Sequence, residues 1–402
     1  MRFASVIVIA AAASAAVIGR QNAPAAKAKL LLGAPTTISV ADYDGKSFNI
    51  VKKDTQSGTS PSWMVFKEPN LLYAVDEYSN DIRLFNFDTA TNELKLAVSA
   101  KGSAGVVSLE FNHDKTRLVG TSYGEGTVDV WDISDASTLK RLHKISLGGT
   151  LGPNKVRQDN SRAHQAVLDP SGRFFAINNL GTDSIVIIDS KDDKYEIVSR
   201  NSVARAGCGP RHGAWYPQKG DAPTAYVVAC ELTSTLEVFS VSTTNGSAIS
   251  LTHTSELSTY GAAFPPANTT SAAAGEIVIS ADGKDAYVSN RFSGNETDSI
   301  SHFRITQQPA TGGSKCKAKA GGITLEFVDQ VSSGGQVPRM FSFSKDGKTL
   351  FSTNQQGVGG AGVLALSRAE DTGSLTAAPI ASVPVEEFGK VGSGPQFVQQ
   401  IV

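Results

Sequence analysis

Val106-Val-Ser-Leu-Glu-Phe-Asn-His-Asp-Lys115, followed by Arg117-Leu-Val-Gly-Thr-Ser122 and Gly126-Thr-Val-Asp-Val-Trp-Asp-Ile133, decides the fold. Each run is short, rich in β-branched and aromatic residues, and bounded by polar or glycine turns, which is the pattern of β-strands. The next stretch repeats it: His164-Gln-Ala-Val-Leu-Asp-Pro-Ser-Gly-Arg173, Phe174-Phe-Ala-Ile-Asn-Asn179, Asp183-Ser-Ile-Val-Ile-Ile-Asp189. Working outward, the same order recurs in Pro61 to Asp88, Arg211 to Val241, Glu276 to Ile305 and Arg339 to Ser367. Helical periodicity is hard to find anywhere in the mature chain.

Copies recur every roughly 45 to 65 residues, with a more variable fourth strand after each triplet, which fits propeller blades carrying loop insertions. Six copies are complete. A seventh is split: Gly394-Pro-Gln-Phe-Val-Gln-Gln-Ile401 reads as a first strand, and Leu30 to Lys53 supplies the strands that should follow it. Pairing the two ends closes a ring and removes an exposed sheet edge. The expected fold is therefore an all-β, seven-bladed β-propeller closed by the C-terminal strand, with one domain over 30–402. A pair of β-sandwiches is the alternative.

The 402 residues are 40% hydrophobic and 19% charged, with a formal net charge of -1. Such a chain buries a large core, and its balance supplies no basic field for nucleic acid or anionic lipid. Arg2 followed by the small apolar run Val6 to Ala16 and Ala13-Ser14-Ala15 reads as a secretory signal over 1–19, with a flexible lead-in at 20–29. A secreted or cell-surface location is expected, with no membrane span and a monomeric protein. Asn245, Asn268 and Asn295 open N-glycosylation sequons in loop-like context. Cys208 and Cys230 face each other if the intervening hairpin turns near Gly220, so they are a disulfide candidate, unpaired packing being the alternative. Cys316 is the odd thiol.

In a propeller the start of each first strand and the end of each second strand share one mouth of the central channel. Collecting polar residues at those places gives His164, Arg211, His212, Glu231, Glu276, Arg291, Arg339, Asn354 and Gln355. Arginines beside carboxylates and histidine suit a small, multiply anionic ligand. Other motifs lack their required context. Gly120-Thr-Ser-Tyr-Gly124 and Gly357-Val-Gly-Gly-Ala-Gly362 lie between strands, where the hydrolase elbow and the dinucleotide fingerprint need a strand followed by a helix. No metal-ligand spacing occurs, and neither metal nor cofactor is expected.

Several phrases, in order along nearly the whole mature chain, resemble the seven-bladed lactonase propellers, the family of bacterial-type 6-phosphogluconolactonase and fungal 3-carboxy-cis,cis-muconate cyclase. They are Ala163-His-Gln-Ala-Val-Leu-Asp-Pro170, Gly209-Pro-Arg-His212, Cys230-Glu-Leu-Thr-Ser-Thr-Leu-Glu-Val-Phe239, Gly275 to Gly283, Ala286-Tyr-Val-Ser-Asn-Arg291, Pro338-Arg-Met-Phe-Ser-Phe343 and Gly394-Pro-Gln-Phe397. The resemblance to the cyclases implies His164, Glu231, Arg211 and Arg291 as the catalytic set. His164 would serve as acid/base and Glu231 would orient it or Arg211. His212, Glu276, Arg339, Asn354 and Gln355 remain as substrate-binding candidates. Cyclisation of a carboxylated substrate is the leading expectation. Lactone hydrolysis of the 6-phosphogluconolactonase kind is the first alternative, and a secreted, non-catalytic ligand-binding glycoprotein the second. The chain departs from the family at Gln218 to Pro223, expected on the far face, and at a Ser255 to Ala274 insertion expected to reshape access. The leader departs too, since both named reactions are intracellular.

Overall fold

The strands that the sequence pattern marks are buried on both faces near the axis and lose burial outward. Ala225–Cys230 and Phe174–Asn179 are buried throughout, whereas the outer strands Lys140–Ser146 and Glu196–Ser202 are largely open to solvent. Continuous apolar runs with β-branched residues suit strands packed on both sides, and alternation suits the half-exposed rim. A computed structural model describes residues 26–308, except 221, 245 and 247, and 322–402, except 391. The expected leader, Asn245 and Cys316 lie outside the described residues.

Seven four-stranded antiparallel sheets are present. In chain order the blades begin their innermost strands at Phe397–Gln400, Met64–Lys67, Val106–Phe111, Ala163–Leu168, Pro210–Tyr216, Ala273–Ile279 and Phe341–Phe343. The apolar core consists of seven separate clusters, each wedged between two neighbouring blades. A two-sheet sandwich would carry one shared core, so that alternative is excluded.

Closure follows the expected pairing. Phe397–Gln400 lies antiparallel to Ala28–Ala34, with Leu30 opposite Gln400 and Gly33 opposite Phe397. The strand begins at Ala28, so the last two residues of the expected lead-in belong to the first blade. No helix among the described residues is long and apolar enough to cross a membrane. Asn268 and Asn295 are both exposed.

One irregularity positions the chemistry. In blades three to six the innermost strand breaks register near its start: between Val106 and Ser108, Ala163 and Gln165, Pro210 and His212, and Ala274 and Ile277. Such a bulge leaves residues without a ladder partner and re-aims their side chains. His164 and Arg211 are the bulged residues of their blades, and Gly275-Glu276 occupies the equivalent place in blade six.

Candidate active site at the channel mouth

Pro210–Tyr216 and Ala225–Cys230 are pinned at their mouth ends by a disulfide. Cys208 and Cys230 are joined at an S–S distance of 2.06 Å, with Cα atoms 4.7 Å apart. Gly209, at φ +64°, turns the chain between Cys208 and the strand, a backbone conformation that glycine adopts without strain. The Glu231 amide donates to the Gly209 carbonyl at 2.9 Å. The bonded cysteines thus fix the two strand ends that carry Arg211 and Glu231.

Glu231 is the hub. Its side chain is 5% exposed and lies 3.0 Å from both Arg211 Nε and Arg291 Nη2. A third guanidinium, that of Arg157, donates to the other carboxylate oxygen. Burial alone would raise the Glu231 carboxyl, but Arg291, Arg211 and Arg157 outweigh it and bring it down to about 2. Burial and the neighbouring Arg291 push Arg211 down to about 9, which leaves it protonated at neutral pH. Two backbone carbonyls of blade six hold the clamp in place: Arg211 Nη1 donates to Gly275 O at 2.9 Å and Arg291 Nη2 to Ala274 O at 2.8 Å. A Cβ on Gly275 would stand 2.4 Å from Ser289 Oγ, so this close approach needs glycine.

Arg339 reaches Glu77 at 2.7 Å across the mouth. His212 Nδ1 lies 2.9 Å from both oxygens of Glu276, and its ring packs edge-on against His164 and Trp63, with centroids 5.0 and 5.3 Å away. Burial first, then Arg211, His212, Arg339 and Arg291, hold the His164 imidazole well below 6.5. His164 is therefore neutral at pH 7. Four guanidinium groups (Arg157, Arg211, Arg291, Arg339) face three carboxylates (Glu77, Glu231, Glu276), leaving an excess positive charge in a poorly hydrated site. Fixed cations in such a place attract an incoming anion far more strongly than in water.

Several expectations change. Of the two partners expected for Glu231, it holds Arg211, together with Arg291 and Arg157, and not His164. His212 packs on Trp63 and His164. Asn354 is not part of the cluster: its Nδ2 donates to Ser333 O at 2.6 Å and Ala361 O at 2.9 Å, tying loops of blade seven together. The Gln355 backbone is fixed by bonds to Val337 and Gly394. Within the Ser255 to Ala274 insertion, Ser255–Ser258 extends an outer strand and Ala273-Ala274 starts an inner one. The loop between them packs beside Arg291, since Asn268 N donates to Ser293 O and Ser271 Oγ to Phe292 O. Gln218 lies at the opposite end of the channel. Ser122 Oγ donates to Ala104 O at 2.5 Å as part of a turn.

Three contributors were missed. Glu77 and Tyr123 follow the second strands of blades two and three, the same place that Glu231 holds in blade five, so the strand-end rule applied to those blades would have found them. Tyr123 packs edge-on to His164 at 5.7 Å, and its hydroxyl lies 3.5 Å from Arg157 Nη2. Arg157 itself sits in the irregular 147–162 connection, where repeat position carries no information.

The family model described as "Lactonase, 7-bladed beta-propeller" matches residues 29–391. The chain is 31% identical, over 87% of its length and 84% of the relative's, to an Arthroderma benhamiae protein named "Probable 6-phosphogluconolactonase". It is 26% identical to the 6-phosphogluconolactonase of Bacillus subtilis, over 88% of this chain and 86% of that one. The periplasmic gluconolactonase of Pseudomonas aeruginosa superposes with a TM-score of 0.74 at 20% identity, covering 93% of this chain and 99% of that structure, a likeness of fold alone.

Proposed function

Because the chain belongs to the seven-bladed β-propeller lactonase family, we propose that its arginine-lined mouth hydrolyses the lactone of an anionic sugar acid. The observation that carries this reading is the excess of guanidinium groups around Glu231, set beside a neutral imidazole. Arg211 and Arg291 would hold the substrate's carbonyl oxygen and stabilise the negative charge that develops on it when water adds. His164 would take a proton from that water as it attacks. Glu231, held well below the usual carboxylate range, is a poor base, and its task is to keep the two arginines parallel and charged. Arg157 and Arg339, nearer the rim, would meet the substrate's own anionic group.

Cyclisation of a carboxylated muconate, the leading expectation from sequence, uses the same arginines. The relatives' names favour hydrolysis over it. The apolar leader and the Cys208–Cys230 bond support an oxidising, secretory setting with glycans on the sequon loops. The test is initial-rate assay of the purified protein on 6-phosphogluconolactone, gluconolactone and carboxymuconate, corrected for spontaneous ring opening. The reading expects turnover of an anionic lactone that His164→Ala and Arg211→Ala abolish. Turnover of carboxymuconate alone would establish the cyclase instead. No turnover of any substrate would leave the binding-protein alternative standing.

A further inference from the structure

Hydrolysis of a lactone at neutral pH has a proton left over. The attacking water loses one O–H bond as its oxygen bonds to the carbonyl carbon. The ring C–O bond breaks, its oxygen takes up a proton, and the acid formed ionises. One proton must leave a mouth that holds four guanidinium groups and favours anions over cations. The fold supplies another exit.

The channel opens at its other end into a cavity of about 450 Å³ to which all seven blades contribute, with Glu110 and Glu276 as its charged lining residues. Trp63 and Met340 line both this cavity and a much smaller enclosed one on the arginine side, of about 10 Å³, and so form the partition between the two. His164, His212 and Arg211 line the small cavity, which has room for about one water. His164 Nδ1 and His212 Nε2 are fully enclosed and have no hydrogen-bond partner among the described residues. Two buried ring nitrogens without partners, on adjacent rings around a water-sized polar space, are costly unless something bridges them. On its other edge His212 Nδ1 meets Glu276, which lines the large cavity.

We propose that Glu276, His212, one enclosed water and His164 form a proton relay through the partition, from the arginine mouth to the opposite end of the channel. The inference rests on the hydrolytic reading above. His164 accepts the proton of the attacking water on Nε2 and releases the one on Nδ1 to the enclosed water. That water passes a proton to His212 Nε2, and His212 Nδ1 gives its proton to Glu276, from which it reaches the far cavity. Every group ends the cycle with the protons it began with once Glu276 discharges to solvent and the two rings return to their starting tautomers. The depressed affinity of His164 for protons keeps it from retaining the one it receives. Burial raises Glu110, on the wall of the same far cavity, to about 7, which suits a group that relays protons to solvent. In this scheme His212 and Glu276 do not touch substrate.

Two measurements test the relay. In the first, nitrogen-15 spectra of histidine-labelled protein without substrate assign the tautomers. The relay requires the resting proton on Nδ1 of both His164 and His212. A proton on Nε2 of either ring overturns it, whether or not any lactone is turned over. In the second, Glu276→Gln, which keeps a hydrogen-bonding partner for His212 but removes the proton acceptor, is assayed on the best lactone. The expected result is a kcat lowered by ~10- to 100-fold with KM within about twofold, a larger solvent isotope effect, and partial recovery in imidazole buffer. A fall in kcat with an unchanged isotope effect and no recovery by imidazole, or an unchanged kcat, overturns it. Failure of the wild type to hydrolyse any lactone refutes the hydrolytic reading instead, and the tautomer result still stands apart from it.

Discussion

Replacing Glu231 by glutamine should expose how much of the fold's stability is stored in one carboxylate. In the folded protein this group titrates at about 2, against 4.5 when unperturbed. At ~1.4 kcal/mol for each tenfold change in proton affinity, the difference is about 3 kcal/mol. The sign follows from the depressed value. Stability from Glu231 is fully present above about pH 4.5 and is lost as pH falls toward 2, where the folded protein also takes up the proton. Glutamine is neutral throughout and leaves Arg157, Arg211 and Arg291 facing one another without an anion, a loss of the size seen when buried pairs are broken, ~3–5 kcal/mol. At pH 7 the urea midpoint of Glu231→Gln should therefore fall by about 1 M for a slope of about 3 kcal/mol/M. The gap between the two proteins should then close with acid, and more than half of the linked ~3 kcal/mol should be gone by about pH 3. Equilibrium urea titrations of both proteins at pH 7, 5 and 3 provide the measurement. A gap that is absent at pH 7, or that stays constant down to pH 3, would refute the account of Glu231 as an anion held by three cations.

Three further outcomes are expected. On the hydrolytic reading, wild-type lactone turnover should stay level as pH falls to 6.5 and decline only below it, because that reading has neutral His164 as the base and its pKa is lowered; half-loss at or above pH 6.5 in a pH–rate profile would contradict this. Arg157→Ala, at a side chain 41% exposed, should cost less than ~1 kcal/mol of stability yet raise KM for an anionic lactone several-fold, and an unchanged KM would remove Arg157 from the substrate site. Removing the Cys208–Cys230 bond in a Cys208→Ala, Cys230→Ala protein should cost ~3 kcal/mol from loop entropy at a sequence separation of 22, read as a lowered urea midpoint that reductant does not lower further.

The ring and its closure were legible because each blade restates one pattern, and a pattern repeated in order is hard to mistake. Glu231, Arg211 and Arg291 were legible for the same reason, being polar residues at the strand starts and ends that the repeat gathers at one mouth. What escaped depended on local departures from the repeat. The bulges that turn His164, Arg211 and Glu276 into the channel have no sequence signature, since an unpaired residue in a strand looks like any other. Arg157 reaches the hub from an irregular connection, and only three-dimensional closure of that loop brings it there. The strand-end rule overreached at Asn354, whose side-chain amide ties Ser333 to Ala361. Substrate identity was the least legible, because cyclisation and hydrolysis ask for the same guanidinium pair.

The pairing of Ala28–Ala34 with Phe397–Gln400 also governs how the molecule is born. Leu31 is made long before its partner Gln399. At ~5–20 residues per second, roughly 20–70 s separate the two. Throughout that interval the first blade presents an apolar, unpaired strand edge, the kind of surface that captures other chains. The nascent protein thus carries that edge while its other blades are being synthesised, and a companion that shields it would be needed only until Phe397–Gln400 is made.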